Sequence, residues 1–182
     1  MNILLTSVGR RVRIVEYFKR ELSSLGGAVI AVDCDLTAPA LYFADEYEIV
    51  PKINDPDYLH ILKLICQKHE INAIISLIDP ELSILARNKE EFLNNNIKIV
   101  VPESRIVDMC FDKYSTYLFL EENNLPCVPT YIDLDNIVAA IDRNRLQFPL
   151  LAKPRKGSAS SGIKKVGDMS QLRLLFNNHD SL

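Results

Sequence analysis

Short apolar runs alternate with amphipathic stretches along residues 1–101. Each run is nearly continuous, which is typical of strands that are buried on both faces of a parallel sheet. The stretches between the runs carry apolar residues at spacings of three and four, the periodicity of a helix that packs on one side. The predicted strands cover residues 3–5, 28–32, 47–50, 73–77 and 97–101.

Three helices are predicted between these strands. The first covers residues 12–25 and ends at a glycine pair, a common helix terminator. The second covers residues 58–65 and follows Asp55-Pro56, which are predicted to provide its cap and first-turn proline. The third covers residues 80–93.

Because strands and helices alternate, residues 1–101 are predicted to form an α/β domain, a Rossmann-like doubly wound parallel sheet. Residues 102–129 are predicted to be a helical connector that ends in a proline-punctuated stretch. Residues 130–182 are predicted to open a second, α+β domain. The expected elements beyond residue 102 are helices at 103–110, 112–123, 135–144 and from 168 or 170 onward, and strands at 130–132, 150–153 and 163–166. Asp112 is predicted to be the N-cap of the second of these helices.

The composition is that of an ordinary globular chain. Of the 182 residues, 48% are hydrophobic and 25% are charged, with a net charge of −3 and a sequence pI of about 5.6. This acidic balance argues against general nucleic-acid binding, which needs a basic face. No stretch has the length of a membrane span or the pattern of a signal peptide, so a cytoplasmic protein without membrane or nucleic-acid partners is expected.

Cysteines and histidines show no metal-binding pattern. The four cysteines are far apart and are predicted to be reduced, mostly buried thiols: Cys34, Cys66, Cys110 and Cys127. The sequence suggests no partner for any histidine, and none receives a catalytic role: His60, His69 and His179. No metal site is predicted.

A basic segment surrounds a loop of small residues at 157–162. A short apolar run leads into Lys153, and no carboxylate lies among the other flanking cations, Arg155, Lys156, Lys164 and Lys165. Exposed backbone N–H groups and hydroxyls, together with lysines, are suited to holding a polyphosphate. A solvated, basic hairpin loop explains the same residues, and composition alone does not separate the two interpretations.

A second candidate site lies where the first strand turns into the first helix. Ligands of doubly wound sheets collect at the carboxyl ends of strands, and a helix N-terminus favours an anion. Ser7 and Gly9 occupy this turn, and Arg10 and Arg11 could neutralise an anionic substrate. The structural alternative is a pair of exposed arginines in a first helical turn.

Acidic residues follow two further strands. Asp33 takes the position of the ribose-binding acid of dinucleotide-binding domains, but the glycine fingerprint of those domains is missing, which disfavours NAD(P). Asp79 and Glu81 follow the fourth predicted strand. Asp79 is predicted to cap a helix with Pro80 at its first position, and a ligand role comes second to that structural one.

The order of these motifs resembles the ATP-grasp superfamily, which includes biotin carboxylase, D-alanine–D-alanine ligase and the carbamoyl-phosphate synthase large subunit. Asp112-Lys113 opens a helix, Leu-Pro-Cys-Val-Pro follows at 125–129, and Phe-Pro-Leu-Leu-Ala-Lys-Pro at 148–154 precedes the 157–162 loop. Residues 1–101 are similar to the pre-ATP-grasp domain. The whole chain looks most like the short carbamoyl-phosphate-synthase-like proteins.

The resemblance implies a reaction and a set of residues. A substrate carboxylate would attack the γ-phosphate of ATP with the help of Mg²⁺, and an amine or ammonia would capture the acyl phosphate. The implied ATP-binding residues are Lys113, Lys153, Lys156, Gly157, Ser158, Ser160, Ser161 and Gly162. The substrate-binding candidates are Ser7, Gly9, Arg10, Arg11, Asp79 and Glu81.

ATP-grasp enzymes hold ATP between two lobes, and their Mg²⁺ ligands belong to the second lobe. The chain is expected to be the N-terminal part of such a ligase and to end before the second lobe. By itself it is therefore expected to have no metal ligands and no ligase turnover. Dimers are common in the superfamily, which implies a homodimer. The alternative is a non-catalytic module that binds a nucleotide or small ligand near Ser7, Gly9 and Asp79. A dehydrogenase-like domain is disfavoured by the missing glycines.

Overall fold

The computed structural model describes residues 1–177. The chain divides into two compact units, Met1–Val107 and Asp108–Leu182, and helix α5, Ser104–Phe111, contains the point of division. Residues 108–129 belong to the second unit, whereas the sequence-based division kept them in a separate connector. They group there because Asp112 and Lys113 are hydrogen-bonded to residues 154–157. The three-part division stays a prediction.

The first unit contains a five-stranded parallel sheet with the strand order β3-β2-β1-β4-β5. The central strand β1 has β2 on one side and β4 on the other, so the carboxyl ends of these three strands lie side by side. This arrangement confirms the prediction of a Rossmann-like α/β fold. The strands are β1 Asn2–Thr6, β2 Val29–Asp33, β3 Glu46–Ile49, β4 Ile71–Ser76 and β5 Lys98–Ile99.

The sheet of the first unit is covered on both faces. One cluster of buried apolar side chains contains Leu4 and Leu62, and a separate cluster contains Leu5 and Val15. Leu4 and Leu5 enter different clusters because successive residues of a strand point to opposite faces. The covering elements are α1 Val12–Ser23, α2 Tyr58–Lys68, α3 Asp79–Arg87, α4 Lys89–Leu93 and a 3₁₀ helix, Pro39–Phe43.

Two predicted helix starts are corrected by the structure. Helix α2 begins after Asp57 instead of after Asp55-Pro56, because the Asp55 side chain accepts the Asp57 N–H at 2.9 Å and forms a turn. Helix α3 begins at Asp79, with Ile78 in the cap position. The predicted cap is therefore wrong, since Asp79 is already helical and its side chain accepts no capping hydrogen bond.

The third predicted helix and the third predicted strand also differ from the structure. The helix is broken at Asn88, whose side-chain amide donates to the Ile84 carbonyl at 2.8 Å and competes with the helical pattern. Strand β3 was predicted to be buried like its neighbours. It lies at the sheet edge instead, where it has one neighbouring strand and leaves Tyr47 and Ile49 exposed.

The second unit is built around a two-stranded antiparallel hairpin and a small apolar cluster. Leu150 pairs with Val166 in the hairpin, and the buried members of the cluster are Ile137, Val166 and Leu172. The predicted strand at 130–132 is wrong, because within residues 1–177 the strands of this unit pair only with each other. The elements are α6 Lys113–Glu122, α7 Leu134–Asp142, β6 Leu150–Ala152, β7 Lys164–Val166 and α8 Met169–Asn177.

Candidate functional site

A buried carboxylate organises the carboxyl ends of β1 and β4. Glu81 is fully buried, and it accepts hydrogen bonds from Ser7 Oγ at 2.8 Å and from Ser76 Oγ at 2.6 Å. Tyr58 Oη donates to its other oxygen. Burial, together with the charge of Glu81, raises the pKa of Tyr58 above its usual range, so this hydroxyl stays a donor. Glu81 thus joins the ends of two strands to helix α2.

The turn between β1 and α1 is held from two sides. Ser7 has a φ of 53°, in the left-handed region that residues other than glycine rarely adopt, and its side chain is held by Glu81. The Gly9 N–H donates to Asp33 Oδ2 at 2.8 Å. The other Asp33 oxygen accepts the Asp35 N–H at 3.0 Å. Asp33 therefore closes this turn, and both its oxygens are engaged by backbone groups.

Three of the substrate-binding candidates are exposed: Arg10, Arg11 and Asp79. The guanidinium of Arg11 lies 3.4 Å from the Ser7 carbonyl oxygen, so Arg11 extends over the turn. Glu81 has the opposite character, since its carboxylate is buried and supports Ser7 from inside. The structure brings Ser7, Glu81 and Arg11 together at one strand end, and a contact between any candidate and a substrate stays a prediction.

In the second unit, Asp112 connects the start of α6 to the basic segment. It is 5% exposed, and its Oδ1 accepts the N–H groups of Tyr114 at 3.0 Å and Ser115 at 3.1 Å, which confirms the predicted cap. Arg155 Nε lies 2.8 Å from Oδ1 and 2.7 Å from Oδ2 of the same carboxylate. The hydrogen bond from Arg155 lowers the pKa of Asp112, although burial opposes the shift.

Lys113 lies at the base of the 157–162 loop. Its ammonium donates to the carbonyl oxygens of Pro154 and Gly157, each at 3.0 Å, and its backbone N–H donates to the Arg155 carbonyl at 3.0 Å. A lysine ammonium has three donors, so one donor remains after these two bonds. The structure therefore places a cation, a Gly/Ser loop and the flanking lysines in one part of the second unit.

The 157–162 loop and its neighbouring lysines face solvent. Positive φ angles occur at Gly157, Ala159, Ser160 and Gly162, so the backbone turns repeatedly in the left-handed region. All residues of the loop are exposed, and so are Lys153 and Lys156. Neither lysine makes a hydrogen bond or ion pair within residues 1–177. Their ammonium groups and the loop amides other than that of Ser161, which donates to the Ser158 carbonyl, are free to contact an anion. Binding of ATP by these groups stays a prediction.

An open groove of about 560 Å³ runs along α6 beside Lys113 and is lined also by Thr116, Tyr117, Pro126 and Cys127. The Tyr117 hydroxyl donates to Glu121 at 2.6 Å, which raises the pKa of Tyr117 to about 12. No sequence pattern indicated this groove, because its walls come from a helix and an irregular segment. It provides space for a ligand next to the Lys113 ammonium.

The histidine and cysteine predictions need correction. His69 does have partners, since Nε2 lies 3.0 Å from Glu48 and Nδ1 lies 3.4 Å from Glu46, while His179 lies outside the described residues. All four cysteines are free, but only Cys66 is buried, and burial raises the pKa of its thiol to about 12. The expectation of mostly buried thiols is wrong.

Residues 1–177 contain neither a metal-binding cluster nor a helix that could span a membrane. No group of three or more His, Cys, Asp or Glu side chains there could hold a metal ion. No helix in that part of the chain combines the length and the apolar character needed to cross a membrane.

The sequence matches a family model described as PylC-like, N-terminal domain, over residues 3–100. The match covers more than half of the chain, and the protein belongs to this family. A comparison with curated proteins finds no significant match.

Solved structures with a similar fold include a carboxyaminoimidazole synthetase, an L-amino acid ligase and a biotin carboxylase domain. N5-carboxyaminoimidazole synthetase from Staphylococcus aureus, complexed with ADP, has a TM-score of 0.68 and 19% identity, over 99% of this chain and 45% of that chain. L-amino acid ligase from Bacillus licheniformis has a TM-score of 0.68 and 17% identity, over 99% and 42%.

The biotin carboxylase domain of 2-oxoglutarate carboxylase from Hydrogenobacter thermophilus is also similar. This dimer, solved with MgADP, ADP and bicarbonate, has a TM-score of 0.68 and 18% identity, over 97% of this chain and 40% of that chain. The protein thus spans less than half the length of these relatives. At 17–19% identity, the similarity to these structures establishes the fold alone.

Proposed function

We propose that this chain is the N-terminal part of an ATP-dependent ligase that joins a carboxylate to an amine or ammonia. The observation that carries the proposal is the pair of 3.0 Å bonds from the Lys113 ammonium to the Pro154 and Gly157 carbonyls. They place a cation beside a Gly/Ser loop that exposes backbone amides. Membership of the PylC-like N-terminal domain family, and a fold shared with ligases solved with ADP or MgADP, support the proposal.

The proposed ATP site uses charge and backbone donors. Lys153 and Lys156 approach the phosphates from the exposed side of the hairpin, and the third donor of Lys113 adds to them. The N–H groups of Ser158 and Ser160 and the hydroxyls of Ser158, Ser160 and Ser161 provide further donors to the phosphates. Positioning and charge neutralisation account for most of the catalysis in such phosphoryl chemistry, because the protein forms no bond to the phosphorus.

In the proposed reaction the substrate carboxylate attacks the γ-phosphate, ADP leaves, and the amine displaces phosphate from the acyl phosphate. Mg²⁺ would neutralise charge on the ATP phosphates in this reaction. Residues 1–177 contain no acidic cluster that fits the ion, so no step is assigned to a metal ligand of this chain. We expect the 182-residue chain by itself to show no substrate-dependent release of ADP in a coupled assay.

The carboxylate substrate is assigned to the turn after β1 in the first unit. Exposed Arg10 and Arg11 provide the positive charge there, and Asp79 provides an exposed acceptor. Ser7 and Gly9 shape the turn through their bonds to Glu81 and Asp33. A carbamoyl-phosphate-synthase-like subtype, a homodimer and a cytoplasmic location are further parts of this proposal.

The test is calorimetric titration of the longest form of the gene product with ATP, with and without Mg²⁺. Lys153→Ala should weaken binding about tenfold or more, because it removes a charge-assisted contact to a phosphate. Lys98→Ala, which removes an exposed lysine from β5 of the first unit, is the matched control and should bind as the parent does. Binding that is equal in the parent and Lys153→Ala would contradict the proposed site.

The pre-shaped turn at Ser7 favours a second candidate function. Ser7 has a backbone in the left-handed region and a side chain fixed by a buried carboxylate. Backbone strain of this kind is concentrated at ligand sites. If the full-length protein binds no ATP, a non-catalytic small-ligand module at this strand end becomes the leading interpretation.

A further inference from the structure

We infer that the Asp112–Arg155 ion pair fixes the base of the 157–162 loop, and that Arg155 is a positioning residue of the phosphate site rather than a ligand of the phosphates. This inference rests on the proposed function. The sequence alone grouped Arg155 with the flanking cations and treated Asp112 only as a helix cap. The contact joins residues 43 positions apart in the chain.

One carboxylate serves two structural purposes at this point. Asp112 accepts the N–H groups of Tyr114 and Ser115, which fixes its side chain at the start of α6. The same carboxylate receives Arg155 Nε at 2.7–2.8 Å. Because Asp112 is 5% exposed, its charge is largely removed from water, and Arg155 provides the partner that such a buried charge requires.

Lys113 adds main-chain contacts at the same place. Its backbone N–H bonds the Arg155 carbonyl, and its ammonium bonds the Pro154 and Gly157 carbonyls, all at 3.0 Å. The Arg155 guanidinium also lies over the Tyr114 ring, 5.6 Å from its centroid. Residues 154, 155 and 157 are therefore all tied to the first turn of α6.

The tip of the loop is held much less. Its backbone–backbone hydrogen bond is from the Ser161 N–H to the Ser158 carbonyl at 3.2 Å, and every residue from 157 to 162 is exposed. A fixed base with an open tip restricts where the loop amides can lie before a phosphate arrives. This lowers the ordering cost of binding, which is the physical basis of preorganisation.

A direct contact between Arg155 and a phosphate is the competing interpretation. Only Arg155 Nε is bonded to Asp112, and the other N–H groups of the guanidinium make no hydrogen bond within residues 1–177, so the variants must separate a positioning role from a direct contact. Asp112→Asn distinguishes the two interpretations. Asparagine caps helices about as well as aspartate, so the start of α6 is kept while the charge that holds Arg155 is removed.

The experiment compares the full-length parent, Asp112→Asn, Arg155→Gln and the double variant in two measurements. One is amide hydrogen exchange without nucleotide, read at the two hydrogen-bonded amides of Lys113, which donates to the Arg155 carbonyl, and Ser161, and the other is calorimetric titration with ATP. Each single variant should speed exchange of the loop and weaken ATP binding about five- to tenfold. The double variant should show effects no larger than those of either single variant, because both substitutions remove the same ion pair. Amides of α6 after Ser115 should exchange as in the parent.

Asp133→Asn is the matched control. Asp133 caps α7 and accepts the Asn136 N–H at 2.8 Å, and it has no bond to the basic segment, so neither measurement should change. Weaker ATP binding in Arg155→Gln with parental binding in Asp112→Asn would overturn the inference and make Arg155 a ligand. Unchanged loop exchange in both variants would also overturn it. If the parent binds no ATP, the proposed function fails, while the exchange measurement still decides whether the ion pair fixes the loop.

Discussion

The first unit holds its candidate site with a buried core, whereas the second unit holds its candidate site with polar contacts at the surface. In the first unit, two clusters of buried side chains cover both faces of the sheet and support the strand ends at Ser7. In the described part of the second unit, a cluster with three buried apolar residues accompanies a two-stranded hairpin, and Asp112, Lys113 and Arg155 hold the loop.

The difference matters because burial and hydrogen bonding respond to different changes. Burial of apolar area contributes stability in proportion to the area removed from water. A polar contact contributes about 1 kcal/mol net, but it leaves an unsatisfied partner when it is broken. We expect the first unit to be sensitive to cavities and the second to the charge state of a few side chains.

The largest effect is expected from a cavity in the first unit. Leu62→Ala should lower the free energy of unfolding of this unit by about 2–5 kcal/mol, because the side chain is fully buried in a cluster that cannot collapse completely. Leu64→Ala in the same helix is the control, since Leu64 is 50% exposed and its loss should change stability by less than about 0.5 kcal/mol. Native-state hydrogen exchange of β1 amides measures both. Equal effects would show that the core does not carry the stability.

Loss of the buried carboxylate should come next. Glu81→Ala removes the carboxylate that accepts from Ser7, Ser76 and Tyr58, although the Ser76 hydroxyl also lies 3.2 Å from the Ile78 carbonyl. The Tyr58 hydroxyl is buried, and a buried donor left unsatisfied costs about 1–3 kcal/mol. Native-state hydrogen exchange of β4 amides should show the loss of stability. Glu90→Ala, an exposed acid on α4, should behave as the parent. Parental exchange in Glu81→Ala would contradict the supporting role given to this residue.

Acid should weaken the second unit through its helix-capping aspartates. Arg155 lowers the pKa of Asp112, Asn136 lowers that of Asp133, and Ser170 lowers that of Asp168. A carboxyl whose folded pKa is lowered contributes stability that is fully present above its unfolded pKa, about 3.9. That contribution disappears as the pH falls through the lower folded pKa.

The measurement is protection of peptides from residues 108–177 during an acid titration monitored by hydrogen exchange. The stability difference between the parent and Asp112→Asn should be largest above about pH 4 and should shrink below it, because the protonated aspartate no longer pairs with Arg155. A difference that grows as the pH falls would have the wrong sign for this mechanism.

The smallest effect on stability is expected for Lys153→Ala. The side chain is exposed and makes no hydrogen bond or ion pair within residues 1–177, so both units should keep their stability within about 0.5 kcal/mol. Thermal unfolding followed by circular dichroism checks this expectation. A clear loss of stability would show that Lys153 supports the hairpin, and weaker ATP binding by the variant would then have a structural cause.

Much of the first unit could be predicted from the chain alone. Near-continuous apolar runs and helical periodicity predicted a doubly wound parallel sheet, and the observed sheet confirms it. The predicted helix boundaries were wrong where a local sequence pattern is compatible with two structures. Asp79 can cap a helix or begin one, and Asn88 can continue a helix or bond back to the Ile84 carbonyl.

The candidate sites depend more on tertiary structure. Lys113 and the 157–162 loop were grouped by a family resemblance, and the structure shows their actual contact through the Pro154 and Gly157 carbonyls. The support of Ser7 by Glu81, 74 positions away, had no counterpart in any sequence pattern.

The sequence by itself determined the alternation of strands and helices, the cap at Asp112 and the concentration of cations around residue 157, because these depend on neighbouring residues. Only the tertiary structure decided that β3 lies at the edge of the sheet, that Glu81 is buried among hydroxyls and that Arg155 pairs with Asp112. Such pairings join distant positions, and the free energy that selects them comes from packing of the whole unit, which no local pattern records.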